Sequence, residues 1–175
     1  MSRIFAVSSR FVCAEAQGIA EVAGYFYRAV SGLGYADSVG GALRCGMRDF
    51  RHIRAWQRAH ALSIALHRLA RDFDRKRHAA LRAQLTAAAH SIPSNIVEGC
   101  GAVTHKEFAR FLDISIKSAS ETEYHLLTSH DLQLISGAEW KTYTTETIAV
   151  RKMIHAYRTA ILRDEGGPEH TDRSA

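Results

Sequence analysis

From Phe50 onward, apolar residues return every three or four positions, and they fall into four blocks. In the first block Phe50, Ile53, Trp56, Ala59, Leu62, Leu66, Leu69 and Phe73 share one helical face. Asp49 stands where an N-cap belongs. The charged run RDFDRKRH at 71–78 marks the connection that follows. Leu81, Leu85, Ala88, Ile92 and Ile96 predict a second helix, with Gly99 or Gly101 as its stop. A third begins at Thr104-His-Lys-Glu107, a capping box in which the threonine oxygen accepts from the backbone and the glutamate reaches back. Phe108, Phe111, Leu112, Ser115, Ala119, Thr122 and Leu126 form its inner stripe. A second capping box, Ser136-Gly-Ala-Glu139, opens the fourth helix, whose stripe is Tyr143, Thr147, Val150, Ile154, Tyr157 and Ile161. Amphipathic helices joined by short connections pack antiparallel, so the pattern predicts an all-α, up-down-up-down four-helix bundle over 47–163. Small residues such as Ala88, Ser115 and Ala119 on the inner stripes favour close helix approach.

One stretch departs from this regularity. HSIPSNIVEGCG at 90–101 places a proline, serines, an asparagine and a glutamate beside core positions. Pro93 lacks an N–H and crowds the carbonyl of Ala89, which predicts a bend there. Ser91 or Ser94 can serve the freed backbone groups. Asn95 needs buried partners, with Ser118 or Ser120 of the third helix as candidates. Asn95, Glu98 and Ser118 are thus read as a polar clamp holding two helices in register.

Composition narrows the class. The chain has 175 residues, 46% of them apolar, as expected for one globular domain with tails. No run of about 18 apolar residues is present, so no membrane-spanning helix is expected. Cys13, Cys45 and Cys100 make neither a disulfide framework nor a zinc pattern, which fits a reducing, cytoplasmic setting. Residues 1–46 hold seven of the twelve glycines and have a weak helical pattern. They are read as an N-terminal extension, with Met47 as a natural-looking start. Residues 164–175 form an acidic tail carrying Asp164, Glu165, Glu169 and Asp172 against Arg173.

Charge changes the picture further. The net charge is +5, but 47–163 hold 18 Lys and Arg against 11 Asp and Glu. Such a body calls for a polyanionic partner; the plain alternative is a solvated surface with a basic bias. No acidic residue occurs from Phe50 to Arg71, and Arg51, Arg54 and Arg58 lie three and four apart. Arg75, Lys76 and Arg77, flanked by Arg68, Arg71 and Arg82, continue the positive charge around the connection. Guanidinium groups suit phosphate oxygens, so these six residues (Arg51, Arg54, Arg58, Arg75, Lys76, Arg77) are the candidate nucleic-acid contacts. No base-reading motif accompanies them, so binding to backbone and shape is expected, with strong salt dependence.

Other chemistry is thin. There are ten histidines but no Glu-x-x-His, and Glu121 with His125 is a lone pair, so no metal and no cofactor is expected. Arg54-x5-His60 is superficially like the arginine–histidine motif of helical ribonuclease toxins, which keeps RNA cleavage as the rival reading. No phosphate-cradling glycine loop or nucleophile elbow occurs. The expectation is a non-enzymatic protein without catalytic residues, with a purely structural oligomer as the third reading.

The segment SIPSNIVEG at 91–99 resembles the signature of a known four-helix bundle family. Phe50, Trp56-Gln57-x-Ala59, Leu81, Gln84, Phe108, Phe111-Leu112 and Ser118-Ala-Ser-Glu121 fit it in order and spacing. That family was first described as proteins encoded in 23S rRNA intervening sequences. It also includes accessory variability proteins of diversity-generating retroelements. The resemblance covers about 47–163 and implies a ring-like homopentamer with a basic surface. It implies nucleic acid or a reverse transcriptase as partner, and it supplies no catalytic residues. Arg75-Lys-Arg77 departs from the family's more usual hydrophobic-aromatic turn.

Overall fold

The computed structural model describes residues 48–164. The expectations for 1–46, for Met47 as a start and for the tail beyond Asp164 lie outside the described residues. Four helices follow one another: α1 (Arg54–Leu69), α2 (Ala79–Cys100), α3 (His105–Asp131) and α4 (Gly137–Asp164). Packing runs around the ring from α1 to α2, α3 and α4, and α4 closes back on α1. Asp113 meets Arg158 at 2.6 Å and Glu123 meets Arg151 at 2.7 Å, so α3 and α4 run antiparallel. The described residues form an all-α, up-down-up-down four-helix bundle.

The core is the sum of the four stripes. Leu62 and Leu66 of α1, Leu85, Ile92 and Ile96 of α2, Leu112 and Leu126 of α3, and Val150, Ile154 and Ile161 of α4 are fully buried. Each such side chain contributes roughly 1.5–3 kcal/mol by leaving water. The crevice between Arg48, Cys100, Thr104 and Phe108 has no room for a water molecule.

Both capping boxes form. Glu107 N–H donates to Thr104 Oγ1 at 3.1 Å, and the Glu107 carboxylate accepts from the N–H of Val103, the residue before the threonine. At α4, Glu139 N–H donates to Ser136 Oγ at 3.2 Å, and the Glu139 carboxylate accepts from the Ser136 N–H at 2.8 Å. These local bonds place the helix starts where the sequence puts them.

The first helix differs from expectation. Asp49 caps a 3-10 turn at Phe50–His52, accepting from Arg51 N–H at 2.9 Å. Ile53 is extended, and α1 begins only at Arg54. The reason is visible in two contacts. Gln57 Nε2 donates to the Arg51 carbonyl at 2.6 Å and holds the turn. The turn also lets the Phe50 ring meet Trp56 edge to face, 4.7 Å between centroids. In an unbroken helix, residues six apart point about 120° away from each other. At its far end α1 tightens into a second 3-10 turn, Ala70–Asp72. Phe73 is buried just beyond it.

Helix α2 runs through Pro93 to Cys100, with Gly101 as its C-cap. Gly99 does not stop the helix but lies within it, under the Phe108 ring of α3.

Candidate polyanion-binding face

The cations expected to bind do not form one patch. Arg51 and Arg54 sit at the beginning of α1, and Arg75–Arg77 lie past its other end, about 24 Å away along the helix axis. Arg51 is exposed, lies 3.6 Å from Asp49 and covers the Phe50 ring. Arg54 is exposed. Arg54 and His60, the pair behind the ribonuclease reading, are six positions apart on α1 and face directions about 120° apart.

Arg58 requires a correction. Its Nε and Nη2 donate to the two carboxylate oxygens of Glu146 on α4, the latter at 2.8 Å. The hydrogen bond to Glu146 raises the guanidinium pKa further, against the opposing effect of burial. A guanidinium held by a carboxylate in two places must break that pair to reach phosphate, so Arg58 serves first to join α1 to α4. The pair is partly solvent-exposed, and its worth is accordingly modest. Arg58→Ala should lower stability by about 1 kcal/mol in urea titration. It should leave polyanion affinity within about twofold.

The connection after α1 presents its charges differently. Asp74 Oδ1 accepts from the backbone N–H groups of Lys76 and Arg77 at 2.7 and 3.0 Å. Those two backbone donors hold the Asp74 carboxyl below the usual carboxylate range. The acid is thus occupied in shaping the turn, while Arg75, Lys76 and Arg77 are all exposed. None of the three side chains has an ion-pair partner among the described residues.

A larger asymmetry surrounds this turn. The α1–α2 hairpin, residues 50–97, carries nine Arg and Lys, five His and only two acids, Asp72 and Asp74. Residues 98–164 carry eight Arg and Lys against nine acids. In that second half Arg151 and Arg158 are paired with Glu123 and Asp113. The excess charge of the bundle therefore belongs to one hairpin.

Along that hairpin lies a stripe that the arginine-centred reading missed. His60, Ile64 and His67 recur at spacings of four and three on α1, and Arg71 follows in the 3-10 turn beyond it. His60 is exposed and stacks on Trp56, with centroids 5.0 Å apart and planes within 7°. His67 is exposed and meets exposed His90 of α2 edge to face at 6.2 Å. The signal was present as helical spacing, but histidine is neither apolar enough nor charged enough to enter either count.

The polar clamp forms with one change of membership. Asn95 Nδ2 donates to the Ser91 hydroxyl at 2.9 Å and to the Ser91 carbonyl at 2.8 Å. Ser91 Oγ and Ser118 Oγ are 2.9 Å apart, joining α2 to α3. Asn95 and Ser118 are therefore brought together through Ser91. Glu98 is exposed and lies outside this chain of bonds. Ser94 Oγ donates to the His90 carbonyl, one residue after Ala89. Ser115 Oγ donates to the Ile92 carbonyl at 2.8 Å, a second bond across the same helix pair.

Among the described residues, no group of three or more His, Cys, Asp or Glu is arranged to hold a metal ion. No described helix is long and apolar enough to cross a membrane.

The arrangement matches known proteins. The family described as 23S rRNA-intervening sequence protein matches residues 51–156. A crystal structure of a protein with unknown function from the S23 ribosomal protein family of Bacteroides thetaiotaomicron superposes with a TM-score of 0.56. It is 19% identical, and the match covers 59% of this chain and 97% of that one. At that identity the likeness concerns the fold. No curated protein matches. With more than half of the chain matched, and with the signature segment clamping α2 to α3, the protein belongs to the 23S rRNA-intervening sequence protein family.

Proposed function

We propose that the protein is a non-enzymatic, cytoplasmic, self-assembling bundle that binds nucleic acid along its α1–α2 hairpin. One observation carries this reading. Besides Arg58, which Glu146 engages, eight cations stand against two acids on that hairpin, and the turn at Arg75–Arg77 exposes three of them while Asp74 is engaged by the backbone. Cations without internal carboxylate partners gain most from phosphate, because no existing ion pair has to be broken. Nucleic acid is favoured over a reverse transcriptase because the turn offers charge without a large exposed apolar side chain beside it. Exposed apolar groups lie elsewhere: Ile114, Tyr124 and Leu127 on α3 and Leu132 just after it. They suit contacts between copies. Assembly into a ring, as the family resemblance implies, would repeat the basic face and add avidity.

Titration of a fluorescent 20-nucleotide oligomer at several salt concentrations tests the proposal. Binding should be tight in low salt and weaken steadily, with a log–log slope of about −0.7 for each phosphate neutralised on a single strand. The oligomer should remain intact throughout. Absence of binding at low salt, or cleavage of an RNA oligomer that is lost in Arg54→Ala and His60→Ala, would defeat it.

A further inference from the structure

We propose that the α1–α2 hairpin selects single-stranded nucleic acid by stacking bases on His60 and on the His67–His90 pair. This deepens the nucleic-acid reading and rests on it. Phe50, Trp56 and His60 form a short aromatic column. Phe50 meets Trp56 edge to face, and Trp56 lies parallel to His60 within 7°. The column ends in an exposed imidazole, so its next layer is whatever planar group arrives from solvent. The indole beneath fixes the ring's orientation in advance, which spares a base the cost of ordering it.

Seven positions further along α1, about 10 Å, His67 supplies a second exposed ring. Its Nδ1 is 2.9 Å from the Ser63 carbonyl, which can only accept, so Nδ1 carries the proton and the ring is held in place. His90 of α2 adds an edge-on neighbour at 6.2 Å. The spacing suits bases splayed along an unpaired strand, one to two nucleotides apart. A duplex keeps its bases stacked inside and could offer these rings nothing but its backbone. Beyond His67 the chain continues into exposed Arg71 in the 3-10 turn, and past it the turn cations Arg75–Arg77, which suit the phosphates of the continuing strand. Exposed rings followed by cations combine the two contacts, base stacking and phosphate pairing, by which single strands are held without base-specific readout.

The test compares three polyanions by fluorescence anisotropy and competition: oligo(dT), an abasic strand of equal length, and heparin. Wild-type protein should bind oligo(dT) about tenfold or more tighter than the abasic strand. His60→Ala with His67→Ala should remove most of that difference while leaving heparin and the abasic strand unchanged. His60→Phe should restore stacking at its position. Circular dichroism checks that the variants are folded, and both histidines are exposed, so the helix should tolerate them. Equal affinity of wild-type protein for oligo(dT) and the abasic strand would overturn the inference and leave backbone binding intact. Equal weakening of all three ligands by the double variant would also overturn it. Failure of all three to bind would sink the nucleic-acid reading itself.

Discussion

Replacing Gly99 with valine should lower the stability of the bundle by about 3 kcal/mol, read from urea unfolding. A Cβ at this position would lie 2.3 Å and 2.6 Å from Phe108 ring carbons and 3.0 Å from Phe111 Cβ. The ring cannot swing aside at little cost. Phe108 is 2% exposed, packs edge to face on Tyr157 at 5.7 Å and is covered by the Arg48 guanidinium. Alanine should be milder. Its gain in helix propensity over glycine, about 1 kcal/mol, offsets part of the overlap. Valine adds two further methyl groups and loses side-chain freedom against the preceding turn. A Gly99→Val protein as stable as wild type would mean that α2 and α3 do not approach as closely as this packing requires.

Gly99 also shows what a sequence alone conveys. As a helix breaker it was a natural stop for α2, yet its work is to let α3 come near, which depends on a phenylalanine across a turn. The four helices themselves were legible because their causes are local. Stripes at helical spacing mark all four, and two capping boxes mark the starts of α3 and α4. The break before α1 was not legible, because it depends on Asp49 choosing the Arg51 N–H and on Phe50 finding Trp56. Arg58 looked free for the same kind of reason. Its partner Glu146 is 88 positions away, and only packing of α1 on α4 brings them together. In the clamp, Asn95 and Ser118 were legible as polar residues at inner positions. Ser91 as the link between them, and the outward direction of Glu98, depend on how α2 rotates against α3.

The second large effect concerns charge. Arg75→Ala, Lys76→Ala and Arg77→Ala combined should weaken binding to a nucleic-acid strand about a hundredfold near 0.1 M salt. Each phosphate contact contributes about 0.7 of a decade under those conditions, and three contacts give about two decades. The log–log salt slope should become shallower by about 2. Folding should be little affected, because Asp74 shapes the turn through backbone N–H groups that alanine retains.

Net charge alone would also weaken binding, so location has to be separated from amount. Arg110, Lys117 and Lys152 provide the control: all three are exposed on α3 and α4, in the half whose charges balance. Replacing them with alanine removes the same total charge as the turn variant. The measurement is the affinity of both triple variants for one labelled oligonucleotide across a salt series. A collapse of binding and slope in the turn variant, with a loss of no more than about threefold in the α3–α4 variant, is the predicted result. Equal losses in the two would contradict a dedicated binding hairpin.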